Sequence, residues 1–195
     1  ILNYFDNVIP DVTPVSDDKV SLDFLVEEKQ STQRINANLG FTGEYGMTGG
    51  AGVEFDNFRG RGQKLNVGIS TGTNFSLYSG QEPSKYKSLN ISFQDPMIND
   101  SPFLVGASVF YSYRGSSTNY YFPLDFTVGG AVASFGRRLE WPDDFFRVMW
   151  SVKFMQKEYE GTQADIDQYI GGLQKTRGIS ISQTFSRDSR NRAEF

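Results

Sequence analysis

Side chains that commonly carry enzymatic chemistry are scarce in this chain. It has no His and no Cys, which removes imidazole bases, thiol nucleophiles and the usual zinc ligands. Its carboxylates form adjacent pairs at Asp17–Asp18, Glu27–Glu28 and Asp143–Asp144. Neighbours on a strand point to opposite faces, so such a pair cannot share a substrate as an acid–base dyad. They read as solvated turn charge. Asp165 and Asp167 offer carboxylates in a polar loop but lack the remaining oxygen ligands of a known calcium loop. Gly49–Gly52 falls inside a strand pattern and not between a strand and a helix, so it is not a phosphate cradle. Small residues there let a wall of strands bend or another backbone approach. No catalytic site, metal or cofactor is expected.

What remains is the chemistry of the backbone, and its best candidate is Gln33–Phe41, QRINANLGF. As a strand it sets Ile35, Ala37, Leu39 and Phe41 against Arg34, Asn36, Asn38 and Gly40. Asn and Arg on the face opposite an apolar stripe suit a barrel wall between lipid and a wet lumen. Seven more such strands are predicted: 47–56, 64–72, 86–94, 103–113, about 124–139, about 146–157 and about 176–187. Outward sets include Leu65, Val67 and Ile69, then Leu89, Ile91 and Phe93, and later Phe146, Val148, Trp150, Val152 and Phe154.

The connections alternate as well. FRGRG, DPMINDSP and LEWPDD are short, whereas 73–85, 115–123 and 158–175 are longer and polar; only the first, GEYG, departs from the trend. Short turns on one side and long loops on the other are the habit of outer-membrane barrels, which places the short turns in the periplasm. Tyr111, Tyr113, Tyr120, Tyr121, Trp141, Trp150 and Tyr159 near strand ends are candidates for interfacial girdles, or simply aromatics favoured in strands.

Composition agrees without deciding. Hydrophobic content is 38 % and mean hydropathy −0.43, and no run approaches the roughly 20 apolar residues of a spanning helix. Twenty Gly and 15 % aromatics suit a β-protein with tight turns. A net charge of −4 argues against nucleic acid as a partner. The absence of Cys fits envelope and cytosolic proteins alike.

Residues 1–31 are different material: a strand at Asn3–Val8, a polar turn around Pro10–Asp18, and a half-buried strand at Val20–Glu27 of a small α/β module. The opening ILNYFDNV reads as the middle of a domain. The charged run Arg187–Glu194 reads as a turn, so an excerpt of a longer protein is expected.

Several stretches together resemble the BamA-type outer-membrane assembly proteins. These are VEEK (Val26–Lys29), RINANLGF (Arg34–Phe41) and GVEFDNFRGRGQKLNV (Gly52–Val67). NYFDNV (Asn3–Val8), FQDPMI (Phe93–Ile98) and FSRDSRNRAEF (Phe185–Phe195) add to them. The D-N-F-x-G-x-G run Asp56, Asn57, Phe58, Arg59, Gly60, Arg61, Gly62 is similar to the family's turn between its second and third barrel strands. Each motif alone is weak; their order covers nearly the whole chain. The family's Arg-Gly-Phe loop motif does not occur here.

The resemblance implies an all-β transmembrane barrel of roughly sixteen antiparallel strands, about eight of them visible over residues 32–195. Residues 1–31 would be the end of a small α/β periplasmic POTRA domain. It further implies a non-enzymatic bacterial outer-membrane insertase with no cofactor. Its partners would be nascent outer-membrane β-barrel proteins, accessory lipoproteins and outer-membrane lipid. The first strand, Arg34, Ile35, Asn36, Ala37, Asn38, Leu39, Gly40 and Phe41, would be a lateral gate pairing with a client strand by β-augmentation. Arg59 and Arg61 would contact the POTRA module or an accessory protein, or only keep the turn wet; the second is favoured. The alternatives are a related barrel that translocates or secretes polypeptides, a lipid-modifying barrel enzyme disfavoured by the lack of His, a passive porin and a soluble sandwich.

Overall fold

The computed structural model describes residues 5–16, 18–28, 33–42, 46–73, 85–116, 123–143 and 145–189. Two antiparallel sheets result. One is the hairpin of β1 (Phe5–Ser16) and β2 (Lys19–Glu28). The other is an eight-stranded meander of β3 (Gln33–Thr42), β4 (Gly46–Phe58), β5 (Gln63–Thr73), β6 (Lys85–Asp95), β7 (Phe103–Arg114), β8 (Asp125–Arg138), β9 (Phe146–Glu160) and β10 (Lys175–Arg187). Each strand of the meander pairs with its sequence neighbour, so β3 and β10 are its two edges.

All eight expected strands form, with the expected faces. A continuous ladder row runs Ile35, Val53, Val67, Ile91, Val109, Ala131, Phe154, Ile179 across the outer face. The row one residue on is Asn36, Gly52, Gly68, Asn90, Phe110, Gly130, Met155, Gly178, on the inner face. The outer row is apolar and the inner one is dominated by small and polar residues, because side chains alternate with period two.

This sheet has almost no interior. Among the described residues only Leu124, Val148 and Ile166 are buried hydrophobics. The molecule exposes 14704 Å², against roughly 9,300 Å² for a compact globule of its mass. A contiguous exposed apolar face of this size needs a covering phase. Lipid is the one that matches strands apolar only on the outside.

Aromatics bound that face. Phe103 stacks on Phe135 at 5.2 Å and Phe135 on Trp150 at 6.0 Å near the short turns. Tyr111 and Tyr113 lie toward the long loops of β7. From Phe103 to Tyr113 the strand rises about 33 Å, or about 25 Å at a 40° tilt, the height of a barrel's apolar band. Tyr159 corrects the girdle expectation: it packs on Phe126 at 4.9 Å on the inner face. Val148 lies on the outer face as expected and is buried there. Tyr120 and Tyr121 lie outside the described residues.

The turns keep their asymmetry. Residues 59–62, 96–102 and 139–145 connect on one side; 74–84, 115–124 and 161–174 connect on the other. Residues 43–45 of GEYG and the loop 74–84 are outside the described residues. The long polar loop after β9 contains a helix, α1 (Gln163–Ile170). Thr162 caps it by accepting from the Asp165 N–H, and Gly171 at φ 63° ends it. Its Ile166 is buried at the long-loop end of the sheet, as is Leu124. Asp165 bonds the Thr162 hydroxyl and Asp167 accepts from Gln163 at 2.9 Å.

The hairpin also departs from expectation. The predicted polar turn around Pro10 and Pro14 is strand, with Pro10 opposite Phe24 and Pro14 opposite Val20. A spacing of four keeps both prolines in the same hydrogen-bonding phase, so one edge of β1 accommodates their missing N–H groups. Asn3 and the Asp17 half of the turn lie outside the described residues. Strand β2, expected half-buried, is exposed on both faces, with Phe24 58 % and Leu25 64 % accessible.

Candidate functional site

Strand β3 carries every residue of the expected pairing edge. It bonds β4 from Gln33 opposite Phe55 to Thr42 opposite Gly46, and no described strand bonds its other side. Every second backbone N–H and C=O along that side is therefore available to another strand. Outward from it stand Ile35, Leu39 and Phe41, 80–84 % exposed, with Ala37 between them. These are the most exposed large apolar side chains of the wall.

The inward side chains lean the other way, onto β4. Asn36 faces Gly52 and Asn38 faces Gly50. A Cβ built on Gly52 would meet the Asn36 Oδ1 at 2.8 Å, and one on Gly50 the Asn38 Oδ1 at 2.7 Å. The two carboxamides thus lie against bare backbone, and the glycines exist to admit them. Gly40 lies beside Thr48, whose Oγ1 is 3.2 Å from where a Cβ would be. The free edge is left unobstructed by its own side chains.

At the short-turn end the edge is pinned by charge. Arg34 bridges Glu54 at 3.1 Å and Asp56 at 2.8 Å, and Lys64 approaches Asp56 at 3.9 Å. Two cations and two carboxylates on three adjacent strands leave the cluster neutral. Asp56 also opens the glycine turn, so the structure joins the two stretches that sequence reading kept apart.

That turn is built by Asn57. Its Oδ1 accepts from the Gly62 N–H at 2.7 Å and its carbonyl from the Gly60 N–H at 3.1 Å. Arg59, Gly60 and Gly62 all have positive φ, at 60°, 68° and 67°, which explains two of the three residue types. Arg59 covers the Phe58 ring at 5.4 Å, and Phe58 meets Phe55 edge-on at 5.9 Å. Arg61 is exposed.

Three features were missed by sequence reading: the Asn–Gly nesting, the link through Asp56, and a hollow of mixed polarity beside it. The hollow has a volume of about 270 Å³ and is lined by polar groups of Glu54, Lys64, Asn66 and Gln94 together with apolar ones of Phe93 and Val132. The spacing Asn-x-Asn in β3 against Gly-x-Gly in β4 was the available signal for the first.

Comparison with known proteins fits this geometry. The Omp85 superfamily domain matches residues 57–195. A search of the curated proteins finds no match. Among solved structures, BamA from Haemophilus ducreyi lacking POTRA domains 1–3 superposes with a TM-score of 0.64 at 15 % identity. The alignment covers 98 % of this chain and 37 % of that one, so the chain spans little more than a third of the length of this solved relative. At that identity the likeness is one of fold.

Proposed function

From the premise that this chain belongs to the Omp85 superfamily, we propose that it is the leading half of an outer-membrane β-barrel whose first strand, β3, receives the strands of client barrel proteins. The whole barrel has about sixteen strands, and residues 1–31 belong to a periplasmic POTRA domain on the short-turn side. The activity is insertion and folding of outer-membrane proteins, with accessory lipoproteins as partners and no enzymatic step.

The observation that carries this reading is the construction of β3. Its edge has open backbone groups, its outer side chains are apolar and its inner side chains are folded away from the seam. An incoming strand would gain backbone hydrogen bonds regardless of its sequence and keep its own apolar face in lipid. Native edge strands are usually blocked by charge, proline or a cover. In β3 the one charged residue, Arg34, is occupied by Glu54 and Asp56.

The test uses the full-length protein with photo-crosslinkers at Asn36, Asn38 and Gly40, in cells synthesising outer-membrane proteins. Crosslinks to the C-terminal strands of nascent clients are expected. Crosslinks confined to the protein's own barrel would leave β3 an ordinary closing strand and end the proposal.

A further inference from the structure

On the outer face, β7 and β8 carry Ala107, Ala131 and Ala133 where their neighbours carry larger side chains. The result is an apolar groove of about 550 Å³, floored by those alanines and walled by Phe93 on β6 and Phe154 on β9. Four ladder pairs from Ala107 and Ala133, closer to the short turns, Phe103 sits opposite Arg137 on the same face. Arg137 lies over the Phe103 ring at 5.3 Å, and the Phe103–Phe135–Trp150 stack separates it from the groove. Its ion pair, to Glu140 at 3.9 Å, is long, and Glu140 is 85 % exposed.

Depth therefore orders three chemistries along one strand pair: a guanidinium, an aromatic shelf, an alanine groove. From Arg137 to Ala133 is four residues, about 13 Å along the strand. This is the order of a glycerophospholipid: phosphate, ester-carbonyl region and acyl chain. Aromatic rings sit at the carbonyl level of membrane interfaces. Arg matches phosphate oxygens with two parallel N–H donors.

We infer that this groove is a binding site for one glycerophospholipid, its phosphate at Arg137 and one acyl chain along Ala107, Ala131 and Ala133. The site rests on the membrane-wall reading of the outer face. It spans β6 to β9, none of which is an edge of the sheet, so it anchors the wall and not the seam.

The experiment is native mass spectrometry of the full-length protein in detergent, titrated separately with phosphatidylglycerol, phosphatidylethanolamine and diacylglycerol. One retained phospholipid is expected, with diacylglycerol retained far less. Ala131→Leu/Ala133→Leu fills the groove and lowers retention. Arg137→Gln weakens it about tenfold, the loss expected for a charge-assisted contact. Heat-modifiable gel mobility checks that each variant folds; if the double-Leu variant does not, Arg137→Gln and the diacylglycerol titration decide alone.

Wild-type retention in a folded double-Leu variant overturns the site, as does equal retention of diacylglycerol. A dimer abolished by the leucines would assign the groove to a second copy instead. A wild-type protein soluble without detergent and lacking heat-modifiable mobility would refute the membrane wall itself. Failure of the variants alone would refute only the lipid site.

Discussion

Strand β3 and the wall formed by β7, β8 and β9 share one alternation and one ladder row, yet they are held by different means. In the wall, side chains lock neighbours on both faces. Phe103, Phe135 and Trp150 stack outside. Inside, Phe126 packs on Tyr159 and Lys153 lies over Phe110 at 5.1 Å. Among the described residues no ring stacks on the outer face of β3, where Leu39 leans over Gly49, and Ile35 is 82 % exposed where Val109, in the same row, is 49 %. Its holds are backbone bonds, nested carboxamides and one ion cluster, all directed toward β4. A wall locked on both faces resists deformation; β3 is held from one side, by β4, and no described strand bonds the other.

The sharpest way to break that contrast is to put the same charge in the same row at both places. Val109→Arg should cost about 2–4 kcal/mol, the penalty of an arginine near the midplane of a lipid-facing strand. Denaturant-dependent folding of the full-length protein into lipid vesicles measures it. Ile35→Arg should cost less, because at an edge the long side chain reaches water beside the strand. Equal penalties would mean that the seam is as enclosed by lipid as the wall, and the distinction would fall.

Glycines sharpen it next. Gly130, in the wall, lies against the Phe154 carbonyl oxygen and under the Phe110 ring, whose Cζ is 2.6 Å from where a Cβ would be. Gly130→Ala therefore pushes on backbone and should cost about 1–3 kcal/mol. Gly52→Ala meets chiefly the Asn36 carboxamide, with the Val67 carbonyl oxygen at 3.3 Å. A side chain can swing where a backbone cannot, so this cost should be smaller, and Asn36→Ala should relieve it. Thermal loss of heat-modifiable mobility compares the three proteins. Failure of Asn36→Ala to rescue would place the strain on the Val67 carbonyl instead.

The strands were legible because a wall with lipid on one face and water on the other writes its period into every segment. Leu89, Ile91 and Phe93 against Asn90 and Ser92 leave no second reading of β6. What escaped was whatever depends on a partner distant in sequence. Thr162, the short apolar content of Gln163–Ile170 and Gly171 encode a capped helix, but a polar loop hides about two turns of periodicity. Pro10 and Pro14 looked like breakers because an edge strand tolerates proline only on its unpaired side, and sequence does not say which side that is. Tyr159 looked like a girdle residue because aromatics serve both faces, and only its register with Phe126 separates them. The edge itself was visible as a strand; that its asparagines recline on glycines required the β3–β4 register.

The smallest effect concerns the pin at the base of the edge. Arg34→Gln removes two ion pairs, but the Arg34 side chain is 63 % exposed. Solvent screening then limits the stability change to about 0.2–1 kcal/mol, diminishing further in high salt. Global unfolding is the wrong instrument for so local a hold. Hydrogen exchange of the full-length protein in detergent resolves it, because local opening of an edge needs far less free energy than unfolding the sheet. Faster exchange is expected at Arg34–Ala37 and unchanged exchange across β8, whose neighbours on both sides keep it closed. Arg34→Lys should restore much of the protection, since both ion pairs run from the one Nη2 atom and a point charge keeps attraction to Glu54 and Asp56. If exchange rose equally in β8, the ion cluster would be supporting the whole sheet, and the edge would owe its order to the wall.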